Sequence, residues 1–232
     1  MRKIVTSLFI SLDGVVEAED DWQFAYLDED TFSALTTAWD RVDAALIGRR
    51  SFQGFDEVRT ANPDSPVIGF LSRVRRYVVS TTLTSAPWPG STVLHGDVRD
   101  QLARLKQQPG KDILVLGSPT LVRWMLGQGL LDELALIVLP IIVGSGPRLF
   151  PEKSAADPLT RLGLDLTNVK PLASGALQLT YMPAARQSAD VSGHAYYDLL
   201  GALRSSPPWP ANLLLGQMAV RPPSAAMTAP VM

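Results

Sequence analysis

The chain of 232 residues contains no cysteine and only two histidines, His95 and His194. Disulfides, a thiol nucleophile and a cysteine-ligated metal are therefore excluded, and two imidazoles are too few for most zinc chemistry. No excess of positive charge is present either. Lys+Arg number 21 and Asp+Glu 23, a formal net charge of −2, so nothing in the composition suggests a nucleic-acid partner, which usually demands a basic face. Long apolar runs are absent: "LALIVLPIIVG" (134–144) is too short and too closely flanked by charge to span a bilayer. Neither G-x-G-x-x-G nor G-x-x-x-x-G-K-[ST] occurs, so both standard phosphate fingerprints are lacking. The opening "MRKIVTSLFISLDGVV" places Arg2 and Lys3 before an apolar run. Ser7, Ser11 and Asp13-Gly14 interrupt it without a small-residue cleavage site, which reads as a buried strand rather than a leader. These absences, with that of cysteine, lead to an expectation of a cytoplasmic protein without membrane or nucleic-acid partners.

What is present is a globular composition, 46% hydrophobic and 19% charged. Residues 1–183 read as one domain. Residues 184–232 hold six of the 18 prolines and long Ala/Leu/Pro/Met stretches, and only "HAYYDLLGALR" (194–204) suits a helix. The expectation there is a disordered or loosely docked tail. Within the domain the periodicity predicts strands at 2–11, 43–48, 76–80, 91–95, 112–117, 133–143, 163–170 and 176–182. Helices are predicted at 28–39, 49–55, 67–73, 97–107 and 119–128. Alternation first, strands alone afterwards and a turn at Ser174-Gly175 describe an α/β fold. Its sheet is mainly parallel and twisted, with flanking helices and an antiparallel C-terminal hairpin.

Three strand ends carry chemistry. In "VLGSPTLVRW" a strand passes through Gly117, Ser118 and Pro119 into a helix. Ser118 suits an N-cap and Pro119 the first helical position, and the free amides of such a start also suit a pyrophosphate. In "LIGRRSF", Gly48 leads into a helix that opens on Arg49, Arg50 and Ser51. Cations at a helix N-terminus oppose its dipole unless an anion arrives. In "YVVSTTL", Ser80, Thr81 and Thr82 offer hydroxyls to a ribose, or to an ordinary turn. Three such corners at neighbouring strand ends outline the crevice where open α/β sheets bind nucleotides.

These segments, with "SLFISLDGVV" and "GLLDELALIVLPIIVGSGPRLF", occur in an order that resembles the dihydrofolate-reductase-like superfamily. Within it the chain looks most like the reductase domain of riboflavin biosynthesis and its stand-alone bacterial relatives. The resemblance covers roughly residues 1–183. It implies a homodimer and a cofactor, NADPH with NADH as the alternative, lying across the strand ends. Gly48, Arg49 and Ser51 would meet its phosphates, Ser80 and Thr81 its adenosine ribose, and Gly117, Ser118, Thr120 and Leu121 its pyrophosphate. Two departures stand out. Ser118 replaces a second glycine, and Thr81 stands where relatives carry an arginine, so a 2′-phosphate would need Arg49, Arg50 or the Arg73/Arg75/Arg76 cluster.

The resemblance also places Asp13 of "SLDG" beside the active site, where turn chemistry explains it equally well. Asp28, with Glu29 and Asp30 after Trp22, matches an acid on the first helix, or simply a helix start that favours acids. The expected activity is hydride transfer from NAD(P)H to a small pterin- or pyrimidine-like heterocycle, with Asp13 ahead of Asp28 as the acid and no metal. The alternative is a nucleotide- or pterin-binding module without turnover. The deaminase half of a two-activity riboflavin enzyme is excluded by the lack of cysteine.

Overall fold

The computed structural model describes residues 1–16, 22–151 and 162–184; the expectations for the chain beyond them, including the helix over 194–204, fall outside the described residues. Eight strands form one sheet: β1 (Ile4–Ser11), β2 (Val42–Gly48), β3 (Arg75–Val79), β4 (Ser91–Leu94), β5 (Asp112–Leu116), β6 (Glu133–Leu139), β7 (Leu164–Pro171) and β8 (Leu177–Pro183). Their spatial order is β4-β3-β2-β5-β1-β6-β8-β7. The six from β4 to β6 run parallel, and β8 is antiparallel to both β6 and β7. The helices are α1 (Glu29–Thr36), α2 (Arg49–Ala61), α3 (Pro66–Arg73), α4 (Val98–Gln107) and α5 (Pro119–Gly127).

Side-chain alternation along the parallel strands feeds two cores. On one face Ile4, Leu8, Leu46, Ile113 and Val115 pack with Leu102, Val122 and Met125 of α4 and α5. On the other, Val5, Ala45, Ile47 and Leu114 pack with Phe52, Phe70 and Leu71 of α2 and α3. A smaller cluster joins Ala34 of α1 to Ile137, Leu139, Leu172 and Ala176.

Three boundaries differ from the periodicity. β6 stops at Leu139 rather than 143, because Pro140 lacks the N–H that a central strand must donate. α2 runs on to Ala61, supported by an Asp56–Arg59 pair one turn apart. α1 ends at Thr36, and the predicted remainder becomes a turn and a 3-10 segment, Trp39–Arg41. No helix among the described residues is long and apolar enough to cross a membrane.

The antiparallel end is less covered. Cross-strand pairs Leu166–Tyr181, Val169–Leu179 and Pro171–Leu177 share one face. Leu166, Val169 and Leu177 are 52%, 49% and 40% exposed.

Between α4 and the sheet, the buried Lys106 ammonium donates to Asp132, 2.7 Å away, and Asp132 also accepts the Ile4 N–H. One carboxylate thus ties α4, the start of β1 and the entry to β6 together. Asp132→Ala leaves that ammonium buried without its counter-charge and is expected to cost about 3 kcal/mol. Lys106→Met is expected to cost less, and urea denaturation of both variants measures the difference.

Candidate cofactor site

The carboxyl ends of β2 and β5 lie side by side, and each passes through glycine into a helix. Gly48 is the N-cap of α2 and Ser118 that of α5, and neither helix has a side-chain cap on its free amides. Gly117 and Ser118 are consecutive left-handed residues, with φ of +61° and +58°. Ser118 is the only such non-glycine residue among those described, a conformation that costs of order 1 kcal/mol for a residue with a Cβ.

Its side chain explains why it is held there. The Gly48 N–H donates to Ser118 Oγ at 2.7 Å, and that hydroxyl donates to Ser51 Oγ at 2.9 Å. The fit leaves no room for side chains. A Cβ on Gly48 would stand 2.5 Å from Ser118 Oγ, and one on Gly117 would stand 2.9 Å from Ser51 Oγ. The expected side-chain cap to α5 is thus replaced by a bond that crosses between the two corners.

Above this junction opens a cleft of about 770 Å3, within the range that small-molecule sites occupy. It gathers Gly48, Arg49, Ser51, Thr81, Ser118, Thr120 and Leu121 from the sequence reading. Gly117 is not in its lining, and a Cβ there would meet Ser51. Ser80 is not in its lining: its hydroxyl is buried and accepts the Thr82 and Leu83 N–H groups, closing a turn. The turn reading fits Ser80, while Thr81 faces the cleft.

Arg50, Arg99, Asp97 and Trp124 also line the cleft. Trp124, read from spacing as core, packs one side against the core and presents the rest to this space. Arg99 was missed. Its signal is the same as for Arg49 and Arg50, a cation in the first turn of a helix where the dipole disfavours it. Asp97, the acid in this lining, spends a carboxylate oxygen on the Asp100 N–H. The Arg73/Arg75/Arg76 cluster is elsewhere. Arg75 pairs with Asp43, Arg76 is buried with its guanidinium 4.6 Å from the Trp88 ring, and Arg73 lines a second cleft beside Trp39 and Phe70.

Asp13 lies beyond the end of β1, next to β5 in the sheet. Its carboxylate accepts from the Ser11 hydroxyl and from the Val143 and Gly144 N–H groups, and Arg148 donates to its carbonyl and reaches its second oxygen. In order of effect, Ser11, Val143 and Gly144 hold its carboxyl far below the usual carboxylate range. Asp13 is thus a clamp joining residues 11–16 to the 141–149 loop. Both of its carboxylate oxygens are engaged by these donors, which commits Asp13 to the clamp. The 144–150 segment bends at Ser145-Gly146 and bridges to Val15 through Arg148, and its Leu149 is fully buried.

Asp28 caps α1, its Oδ1 accepting the Thr31 N–H at 2.7 Å. Asp30 pairs with Lys170 and accepts the Ala173 N–H, which lower its pKa. Trp22 and Tyr26 pack on the small cluster beneath α1, and the Tyr26 hydroxyl points to the Pro140 carbonyl at 3.4 Å. Asp28 therefore caps that helix and Asp30 docks it to the hairpin, while Asp28 Oδ2 accepts no hydrogen bond from the described residues.

A parallel sheet in this order, with an antiparallel closing pair and helix starts gathered at its carboxyl edge, defines a dihydrofolate-reductase-like α/β protein. Residues 2–177 match the family described as RibD C-terminal domain, and the chain belongs to that family. It is 28% identical over 187 residues to the uncharacterised protein YyaP of Bacillus subtilis, covering 78% of this chain and 94% of that one. Among solved structures it is similar to a putative riboflavin biosynthesis protein from Shewanella sp. PV-4, with TM-score 0.63, 22% identity and coverage of 79% and 99%. A dihydrofolate reductase from Enterococcus faecalis, solved with NADP(H), is similar at TM-score 0.53 and 15% identity, covering 78% of this chain and 96% of that one.

The clamp has a pH signature. Because the folded state lowers the Asp13 pKa, its stabilisation is complete above the unfolded value near pH 4 and fades as pH falls towards the folded value. Asp13→Asn is expected to be less stable than the parent at pH 7, with the gap shrinking below about pH 4. Denaturation midpoints at pH 7 and pH 3 check this.

Proposed function

We propose that this protein is a reductase that binds NADPH in the cleft above β2 and β5 and transfers hydride to a small heterocycle of pterin or pyrimidine type. The observation that carries this reading is the convergence of two uncapped helix N-termini with three arginines, Arg49, Arg50 and Arg99. The amides of α2 and α5 would hold the pyrophosphate. Gly48 and Gly117, where a Cβ would collide, allow the backbone its close approach. Thr81 would meet the adenosine ribose.

Thr81 brings no charge, yet the cleft supplies one. Arg50 and Arg99 enter from α2 and α4, the helices that follow β2 and β4. A guanidinium there suits a ribose 2′-phosphate, so NADPH is favoured over NADH. When bound, the cofactor supplies the hydride; the chain's residues orient it and exclude water. Asp13 holds the 141–149 loop against the end of β1. The role of acid falls to Asp28, whose Oδ2 accepts no hydrogen bond from the described residues.

A binding module without turnover is the alternative, favoured by the commitment of both Asp13 and Asp28 to structural hydrogen bonds. The expected homodimer has a suitable face in the uncovered apolar row of β7 and β8. The test is titration with NADPH and NADH, followed by loss of reduced-nicotinamide absorbance against pterins and pyrimidines. Oxidation is expected, with NADPH bound more tightly. Arg99→Ala is expected to weaken NADPH about tenfold while leaving NADH nearly unchanged. Tight binding without oxidation supports the module, and no binding of either cofactor overturns both readings.

A further inference from the structure

We infer that Ser118 is a positioning residue that does not itself hold the anion: it takes the Gly48 amide out of the cleft and aims the Ser51 hydroxyl into it. This rests on the cofactor reading above. Three groups form a directed chain. The Gly48 N–H donates to Ser118 Oγ at 2.7 Å, so the Ser118 proton goes on to Ser51 Oγ at 2.9 Å. Ser51 then has one proton left, and no described residue accepts it. Ser51 stands in the first turn of α2 and lines the cleft, so its proton is the donor offered to an anion there. Each link polarises the next, which makes the last hydroxyl a better donor than an isolated serine.

The arrangement also couples two elements. The Gly48–Ser118 bond joins the start of α2 to the start of α5, and a Cβ on Gly117 would stand 2.9 Å from Ser51 Oγ. The left-handed conformation of Ser118 is what points its Cβ back across the gap. With glycine at 118 the Gly48 amide would be free to face the ligand, and Ser51 would lose its orienting partner. The chain thus exchanges one backbone donor for one side-chain donor.

The experiment is a double-variant cycle read as the dissociation constant for NADPH, with inorganic pyrophosphate as a competing probe and thermal midpoints recorded alongside. Ser118→Ala and Ser51→Ala are each expected to weaken NADPH about tenfold. The double variant should be little worse than either alone, because both break one chain. Ser118→Gly, which removes the hydroxyl without the strained Cβ and frees the Gly48 amide, should bind more tightly than Ser118→Ala. Losses that add in the double variant overturn the inference, as does a Ser118→Ala protein that binds like the parent. Affinities that merely follow the thermal midpoints overturn it too. A parent protein that binds neither NADPH nor pyrophosphate overturns the cofactor reading itself, a result separate from any of these.

Discussion

The close approach of two strand–helix corners at the middle of the sheet is the constraint on which the site depends. β2 and β5 are adjacent parallel strands, so their following helices start side by side. For both starts to face one space, the chain must turn sharply twice within a few ångströms. Gly48 and Gly117 permit that, since a Cβ at either position would meet a serine hydroxyl at less than a van der Waals distance. Ser118 then fills the remaining gap with a hydrogen bond rather than an atom clash. The cost is a left-handed serine, offset by bonds to Gly48 and Ser51.

Electrostatics follow from this packing. The chain is slightly acidic as a whole, yet one cleft collects three arginines around one acid that is already engaged. Uncapped amides and misplaced cations both raise the energy of the empty site, and an anion relieves both. Farther along the same edge the balance reverses. Asp13 is surrounded by donors and fixes the loop after β6 to the end of β1. One end of the carboxyl edge therefore gathers cations and uncapped amides, while the other is closed by a carboxylate.

Much of the fold was legible because parallel strands buried on both faces are unbroken apolar runs, and the helices between them carry ordinary caps and periods. All eight strands and five helices fall where the pattern predicts, apart from ends that depend on context, such as the stop at Pro140 and the extension of α2. The cleft was legible in part. Gly48, Arg49, Ser51, Thr81 and Ser118 stand at the corners and Thr120 and Leu121 came with the family resemblance, whereas Arg99 lies on a helix that reads as plainly amphipathic. Ser80 and Asp13 carry suitable chemistry, but a hydroxyl or a carboxylate in sequence does not show which neighbours already use it.

The sequence by itself determined the class of the protein: alternating elements, glycine at two strand ends, and cations where helix starts disfavour them. These are local properties, set by backbone sterics, side-chain period and the dipole of a single helix. The tertiary structure alone decided which hydroxyls and carboxylates are free. Ser118 bonds Gly48 across 70 positions of chain, and Asp13 takes its two backbone donors from residues some 130 positions away. Hydrogen bonds over such separations depend on how strands are ordered in the sheet, an order that no local pattern encodes.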